Sequence, residues 1–197
     1  DGTADDQKGD LIFKTNDGSD NNAPTERLRI DSDGSIVPAT LGTSNVKFGL
    51  NAGNNIASGG NYNTVIGEEA GNDITTGDNN TLIGTFSGDA ITTSSSNTAV
   101  GSYSMTSMTD GANNVAVGTS ALDVDTKGSH TTAIGRNALG SQNFTSATDT
   151  HNTACGNNAG QSVTTGTNNT IVGSNAAYAL TTSNSNTAIG KSALSAE

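Results

Sequence analysis

The stretch Asn186-Thr187-Ala188-Ile189-Gly190 decides the fold, because altered copies of it return along most of the chain. Their opening and closing residues are Asn63 and Gly67, Asn80 and Gly84, Asn97 and Gly101, Asn114 and Gly118, Asn152 and Gly156, Asn169 and Gly173, and Asn186 and Gly190. One further copy opens on Thr131 and closes on Gly135, and a degenerate one runs from Asn45 to Gly49. The closing glycines of the nine copies are spaced by 18, then 17 four times, then 21, then 17 twice. A fixed period signals a repeat architecture, in which each unit is one coil that stacks on the next.

Composition agrees with a thin, repeated core. The chain has 197 residues of which 31% are hydrophobic, with 25 Gly and no Trp. That is well below the roughly 45–50% apolar content of an ordinary globular domain. Strict phasing of Gly, Asn, Ser and Thr with short apolar runs favours short strands joined by tight turns over disorder. The net charge of −11 leaves no basic face for phosphate, so nucleic acid is not an expected partner. A single cysteine, Cys155, excludes an intrachain disulfide framework. No apolar run approaches the ~18 residues of a membrane-spanning helix, so membrane insertion is not expected. The chain does not begin with Met and is expected to be a segment of something longer.

Two regions are expected. Residues 1–40 form a β-rich module: Leu11-Ile12-Phe13 as a strand, a turn at Asn16-Asp17-Gly18, a strand alternating Arg27, Leu28, Arg29, Ile30, and a return at Ile36-Val37 stopped by Pro38. Residues 41–197 carry the repeat, about eight to nine turns, with an insertion near 141–151 produced by the 21-residue step.

The stretches GDLIFKTNDG (residues 9–18) and ERLRIDSDGSI (26–36) resemble a strand-rich segment of bacteriophage tail fibres. The NTAIG copies are similar both to phage fibres and to the head of trimeric autotransporter adhesins. The latter resemblance implies a left-handed parallel β-roll in each of three chains. The expected fold is therefore all-β, a parallel β-roll or β-solenoid of 17-residue repeats in an intertwined homotrimer.

Each position of the repeat forms a column along the stack. The fourth reads Ile66, Ile83, Val100, Val117, Ile134, Cys155, Val172, Ile189, and its constant apolarity is read as facing a continuous interior. The third reads Val65, Leu82, Ala99, Ala116, Ala133, Ala154, Ile171, Ala188 and must point to the opposite face of the strand. Both faces then need cover, from other strands of the coil or from neighbouring chains. The five alanines suit a close approach between chains, and with the resemblance this points to two further copies as partners. The Asn column is expected to form an amide ladder at a corner, and the closing Gly to supply a second corner.

Candidate sites are few. Insertions in solenoids emerge outside, so Gln142, Asn143, Phe144 and Thr145 are the first candidates for contact; a length variation without function is the plainer account. His130 and His151 share a column on adjacent turns, about 5 Å apart if stacked, but two His fall short of the usual metal-ligand count and read better as a polar corner. Asp31-x-Asp33-Gly34 shares the opening of a calcium loop without its later ligands, and a turn explains it better. Glu68-Glu69 and Asp123-x-Asp125 are close carboxylate pairs that lack partners across a groove. Cys155 stands where the column has Val or Ile, and no nucleophile elbow or phosphate loop is present, so neither an enzyme nor a cofactor is expected. Phe86 and Tyr103 share a column, and Tyr178 lies elsewhere on a turn; such aromatics could stack on sugars or pack under a loop.

The function expected from the residues and the resemblance is structural and adhesive: a piece of a phage tail fibre in the extracellular virion, touching other fibre or tail proteins and a host-surface glycan or protein. The alternatives are the head of a trimeric adhesin on a bacterial surface and a polysaccharide-depolymerising tailspike.

Overall fold

The computed structural model describes residues 11–15, 25–30, 36–38, 42 and 44–195, with backbone alone for Thr15 and for residues 25–30 and 36–38. Strands β1 (Leu11–Thr15), β2 (Thr25–Ile30) and β3 (Ile36–Pro38) pair antiparallel in that order. Pro38 ends β3 on the edge of this sheet, opposite Leu28, where its missing N–H leaves no inner ladder unpaired. The expected turn at residues 16–18 lies outside the described residues.

The repeat forms a parallel β-solenoid with no helix among the described residues. One three-residue strand from every turn enters a nine-stranded sheet: β4 (Val46–Phe48), β5 (Thr64–Ile66), β6 (Thr81–Ile83), β7 (Thr98–Val100), β8 (Val115–Val117), β10 (Thr132–Ile134), β12 (Thr153–Cys155), β13 (Thr170–Val172) and β14 (Thr187–Ile189). Pairing is parallel and in register, Thr81 on Thr98, Leu82 on Ala99, Ile83 on Val100. Columns of the sequence are therefore columns of the molecule.

Left-handed backbone turns the coil at four places per repeat. In one turn these are Asn79, Gly84, Phe86 and Gly88, and in the next Ser96, Gly101, Tyr103 and Met105. The expected second corner at the closing Gly is correct. At Gly101, φ is +134°, and an added Cβ would lie 2.7 Å from the backbone of Gly118 in the next turn. Both the angle and the close approach demand glycine.

The Asn column also forms a ladder, buried rather than at the bend. The left-handed residue is the one before it. Asn63 Oδ1 accepts the Asn80 N–H at 2.9 Å, Asn80 Oδ1 that of Asn97 at 3.0 Å, and Asn97 Oδ1 that of Asn114 at 3.1 Å. Each Nδ2 then donates to a carbonyl of the neighbouring turn, Asn63 to Gly77 at 2.8 Å and Asn80 to Ser94 at 2.9 Å. One side chain thus satisfies a donor and an acceptor that burial would otherwise leave unpaired.

The inward face is the reverse of the one read from sequence. Val65, Leu82, Ala99, Ala116, Ala133, Ala154 and Ile171 of the third column are fully buried, and Ala188 nearly so. The fourth column faces out, with Ile66, Ile134 and Val172 more than a third exposed. Alternation assigns the two columns to opposite faces but does not say which face the coil closes over. The choice follows from what fills the other wall. Four places after the closing glycine stand Gly71, Gly88, Met105, Leu122 and Leu139. Where the third column is large (Val65, Leu82) this place is Gly, and where it is Ala (Ala99, Ala116, Ala133) it is Met or Leu. A Cβ at Gly88 would meet the Leu82 methyls at 2.7 and 2.9 Å. Ala99, Ala116 and Ala133 are small where the opposite wall is large, which conserves volume within those turns, whereas Ala154 faces Gly160, a place filled from the neighbouring turns by Leu139 and Ile171.

Candidate functional site

The outer face of the nine-stranded sheet runs the length of the coil. The second and fourth repeat positions line it as two ranks: Thr64, Thr81, Thr98, Val115, Thr132, Thr153, Thr170, Thr187 beside Ile66, Ile83, Val100, Val117, Ile134, Cys155, Val172, Ile189. Every one of these is half-buried or exposed, and none carries a charge. Cys155 is exposed on this face, not a core replacement. Chemically the surface offers β-branched methyls and Thr hydroxyls at strand spacing and no acid or base.

The long turn between Gly118 and Asn152 is where the pattern breaks. Gln142 stands seven places after Gly135, in the column otherwise filled by Ile56, Ile74, Ile91, Met108, Val163 and Leu180, and Asp125 precedes it in the same column. Both are fully buried. Gln142 Nε2 donates to Asp125 Oδ2 at 2.6 Å and to Thr131 Oγ1 at 3.1 Å, while Gln142 Oε1 accepts from Asn152 Nδ2 at 2.8 Å. Thr131 occupies the Asn column and has no amide to offer Asn152, so Thr150 Oγ1 takes the Asn152 N–H at 3.3 Å. Thr131 and Thr150 share a 2.6 Å hydroxyl contact. The second Asp125 oxygen accepts N–H groups from Gly128 (3.1 Å) and Phe144 (2.9 Å). Burial pushes the Asp125 carboxyl above its ordinary range, while these hydrogen bonds act against that shift.

The four residues expected in an outer loop are therefore split. Gln142 is interior and closes the polar network, and Phe144 is 8% exposed. Asn143 and Thr145 are exposed. Thr126 Oγ1 ties the segment down by donating to Phe144 O at 2.8 Å. The insertion then returns as β11 (Thr148–Asp149), parallel to β9 (Gly128–Ser129). Counting seven from Gly135 would have placed Gln142 next to Asp125; grouping it with the insertion hid that.

His130 and His151 stack as the spacing implies, ring centroids 5.4 Å apart. His130 Nδ1 lies 3.0 Å from Asp149 Oδ1, both side chains largely exposed. No grouping of three or more His, Cys, Asp or Glu suited to a metal occurs among the described residues. Phe86 and Tyr103 stack on each other at 5.3 Å. The carboxylate of Glu69 accepts from Asn51 Nδ2 at 2.6 Å. Asp123 is half-buried, whereas Asp125 is fully buried and held by Gln142 and Phe144, so this pair does not share a groove. Asp31 and Asp33 lie outside the described residues.

Comparison with protein-family models, with curated proteins and with solved structures gave no match. The class defined by the fold is a parallel β-solenoid repeat protein.

Proposed function

We propose that the chain is a structural and adhesive fibre segment whose copies associate through the outer sheet face into a homotrimer, within a phage tail fibre that contacts the host surface. The observation that carries this reading is the fourth column: a rank of Ile and Val with one Cys, half-buried or exposed in the single chain, uncharged and continued from Ile66 to Ile189. Isolated exposed apolar residues are ordinary, but a contiguous apolar stripe marks an interaction surface. The stripe belongs to a rigid, in-register lattice, so identical chains meet it with matched spacing. Three chains would also multiply weak surface contacts by effective concentration. Resemblance of the N-terminal stretches supports the phage assignment over the head of a bacterial surface adhesin, and other fibre proteins would then be its axial neighbours.

Ile134→Asp tests the assembly. The side chain is 40% exposed, so the charge leaves the coil folded, and it should abolish the trimer in sedimentation equilibrium. Ser129→Asp, in the short strand β9 away from the nine-stranded sheet, should sediment as the parent does. Asp78 already serves this way in the same column, accepting the Asn61 N–H at 2.7 Å, as Ser129 accepts that of Ala112 at 3.0 Å. A parent chain that sediments as a folded monomer at micromolar concentration would overturn the reading. Imaging labelled chain on virions or on cells decides between fibre and adhesin.

A further inference from the structure

The corner two places after each closing glycine carries Asn137, Asn158 and Asn175 on successive turns. Their amides run head to tail: Asn137 Nδ2 donates to Asn158 Oδ1 at 3.3 Å, and Asn158 Nδ2 to Asn175 Oδ1 at 3.0 Å. The direction of this chain leaves the Asn175 Nδ2 group as its unspent donor. Beside it, Asn158, Asn175, Tyr178 and Ser195 line an open cleft of about 430 Å³. Tyr178 is 44% exposed. Neither the Asn175 amide nitrogen nor the Tyr178 hydroxyl has a partner among the described residues.

The lining has a definite chemistry. It holds one aromatic face, two amides and two hydroxyls, and no charge. The acids of the same side of the coil, Glu69, Asp73, Asp89 and Asp123, belong to earlier turns. The four lining side chains give an ion no counter-charge, and a purely apolar ligand would strand the amides. A pyranose meets both demands, because its C–H face stacks on an aromatic ring while its hydroxyls both donate and accept.

We infer that this cleft binds a neutral saccharide unit of a surface glycan, one sugar face on the Tyr178 ring and its hydroxyls on Asn175 Nδ2 and the Ser195 hydroxyl. The inference rests on the adhesive reading above and gives it a ligand class and a place away from the insertion. Asn158 is a positioning residue, since its donation to Asn175 Oδ1 turns the free Nδ2 outward.

The test uses the whole chain with methyl β-D-glucopyranoside, methyl α-D-mannopyranoside, methyl β-D-galactopyranoside and N-acetylglucosamine as probes, followed by NMR. At least one probe should shift the Asn175 side-chain amide and receive saturation from the Tyr178 ring. Tyr178→Ala should weaken that binding about tenfold or more, and Tyr178→Phe should retain most of it. Asn175→Ala provides a second variant should Tyr178→Ala lower the melting temperature. If no probe moves the Asn175 amide, or if binding survives both Tyr178→Ala and Asn175→Ala, the inference fails. Sedimentation and cell adsorption of the same samples separate the two readings. A trimer whose adsorption ignores these variants loses the cleft but remains a fibre; a monomer that still binds the probe here loses the fibre and keeps the cleft.

Discussion

The turn from Asn80 to Ser96 and the turn from Thr131 to His151 solve one problem with different residues. In the first, an Asn amide links each turn to the next and Ile91 fills the interior. In the second, Thr replaces the Asn, and the interior place carries Gln142 opposite Asp125. Had the Asn simply been lost, Asn152 would face a hydroxyl too short to serve it. Gln142 reaches across from the apolar column and supplies the missing acceptor for the Asn152 side chain, while its own Nε2 donates to the acceptor-only carboxylate of Asp125 and to Thr131 Oγ1. A thin solenoid thus tolerates the loss of an apolar side chain more readily than a gap in its buried hydrogen bonds.

The largest effect expected from disturbing this contrast is at Gln142. Gln142→Val restores the apolar column but strands a buried carboxylate oxygen and removes a partner of Asn152 Nδ2. A loss of about 3 kcal/mol or more is expected in urea unfolding. In the double variant Asp125→Val with Gln142→Val the charge is gone, and the total loss should fall below the sum of the single losses by about 1–3 kcal/mol. Additive losses would mean that the two side chains do not act as a unit.

In the regular turn, Asn97→Ala should cost less, about 2 kcal/mol, because it strands the neutral Asn114 N–H instead of a charge, while the Gly111 carbonyl keeps the Ser94 hydroxyl as a donor. Equal losses at Asn97 and Gln142 would remove the distinction between the turns.

The smallest effect is on pH dependence. Burial raises Asp125 and Asp123, and burial followed by repulsion from Asp73 and Glu69 raises Asp89. For each, the folded chain holds its proton at a pH where the unfolded chain has released it. The stability so contributed is full below the ordinary value near 3.8 and is lost as pH rises through the raised folded value. The melting temperature should therefore increase as pH is lowered from 7 toward 4, and Asp125→Asn should flatten some of that slope. A parent melting temperature that drops steadily over this interval would contradict the assignment.

Much of this was legible in one dimension. The spacing of Gly67, Gly84, Gly101 and Gly118 announces a stacked coil, and a constant Asn four places earlier announces a ladder. The orientation of the strand was not legible, because Leu82 and Ile83 are equally apolar and alternation is symmetric. The true discriminator is the inverse sizing of Ala116 with Leu122 and of Leu82 with Gly88, which becomes visible once those places are known to face each other. Gln142 was hidden for a different reason. A polar residue beside an insertion reads as surface, unless its phase is counted from Gly135 rather than from the insertion. The Tyr178 cleft had no signal beyond an aromatic in a turn, since it needs side chains from three successive turns.

By itself the sequence determined the period, the corners that require glycine and the columns that stack, because these depend on short-range backbone sterics and on identical spacing. Only the tertiary structure decided which apolar column is core and which is surface, and that Gln142 joins the interior network. Both depend on which walls close over which face, and that is a property of the coil as a whole, not of any one strand.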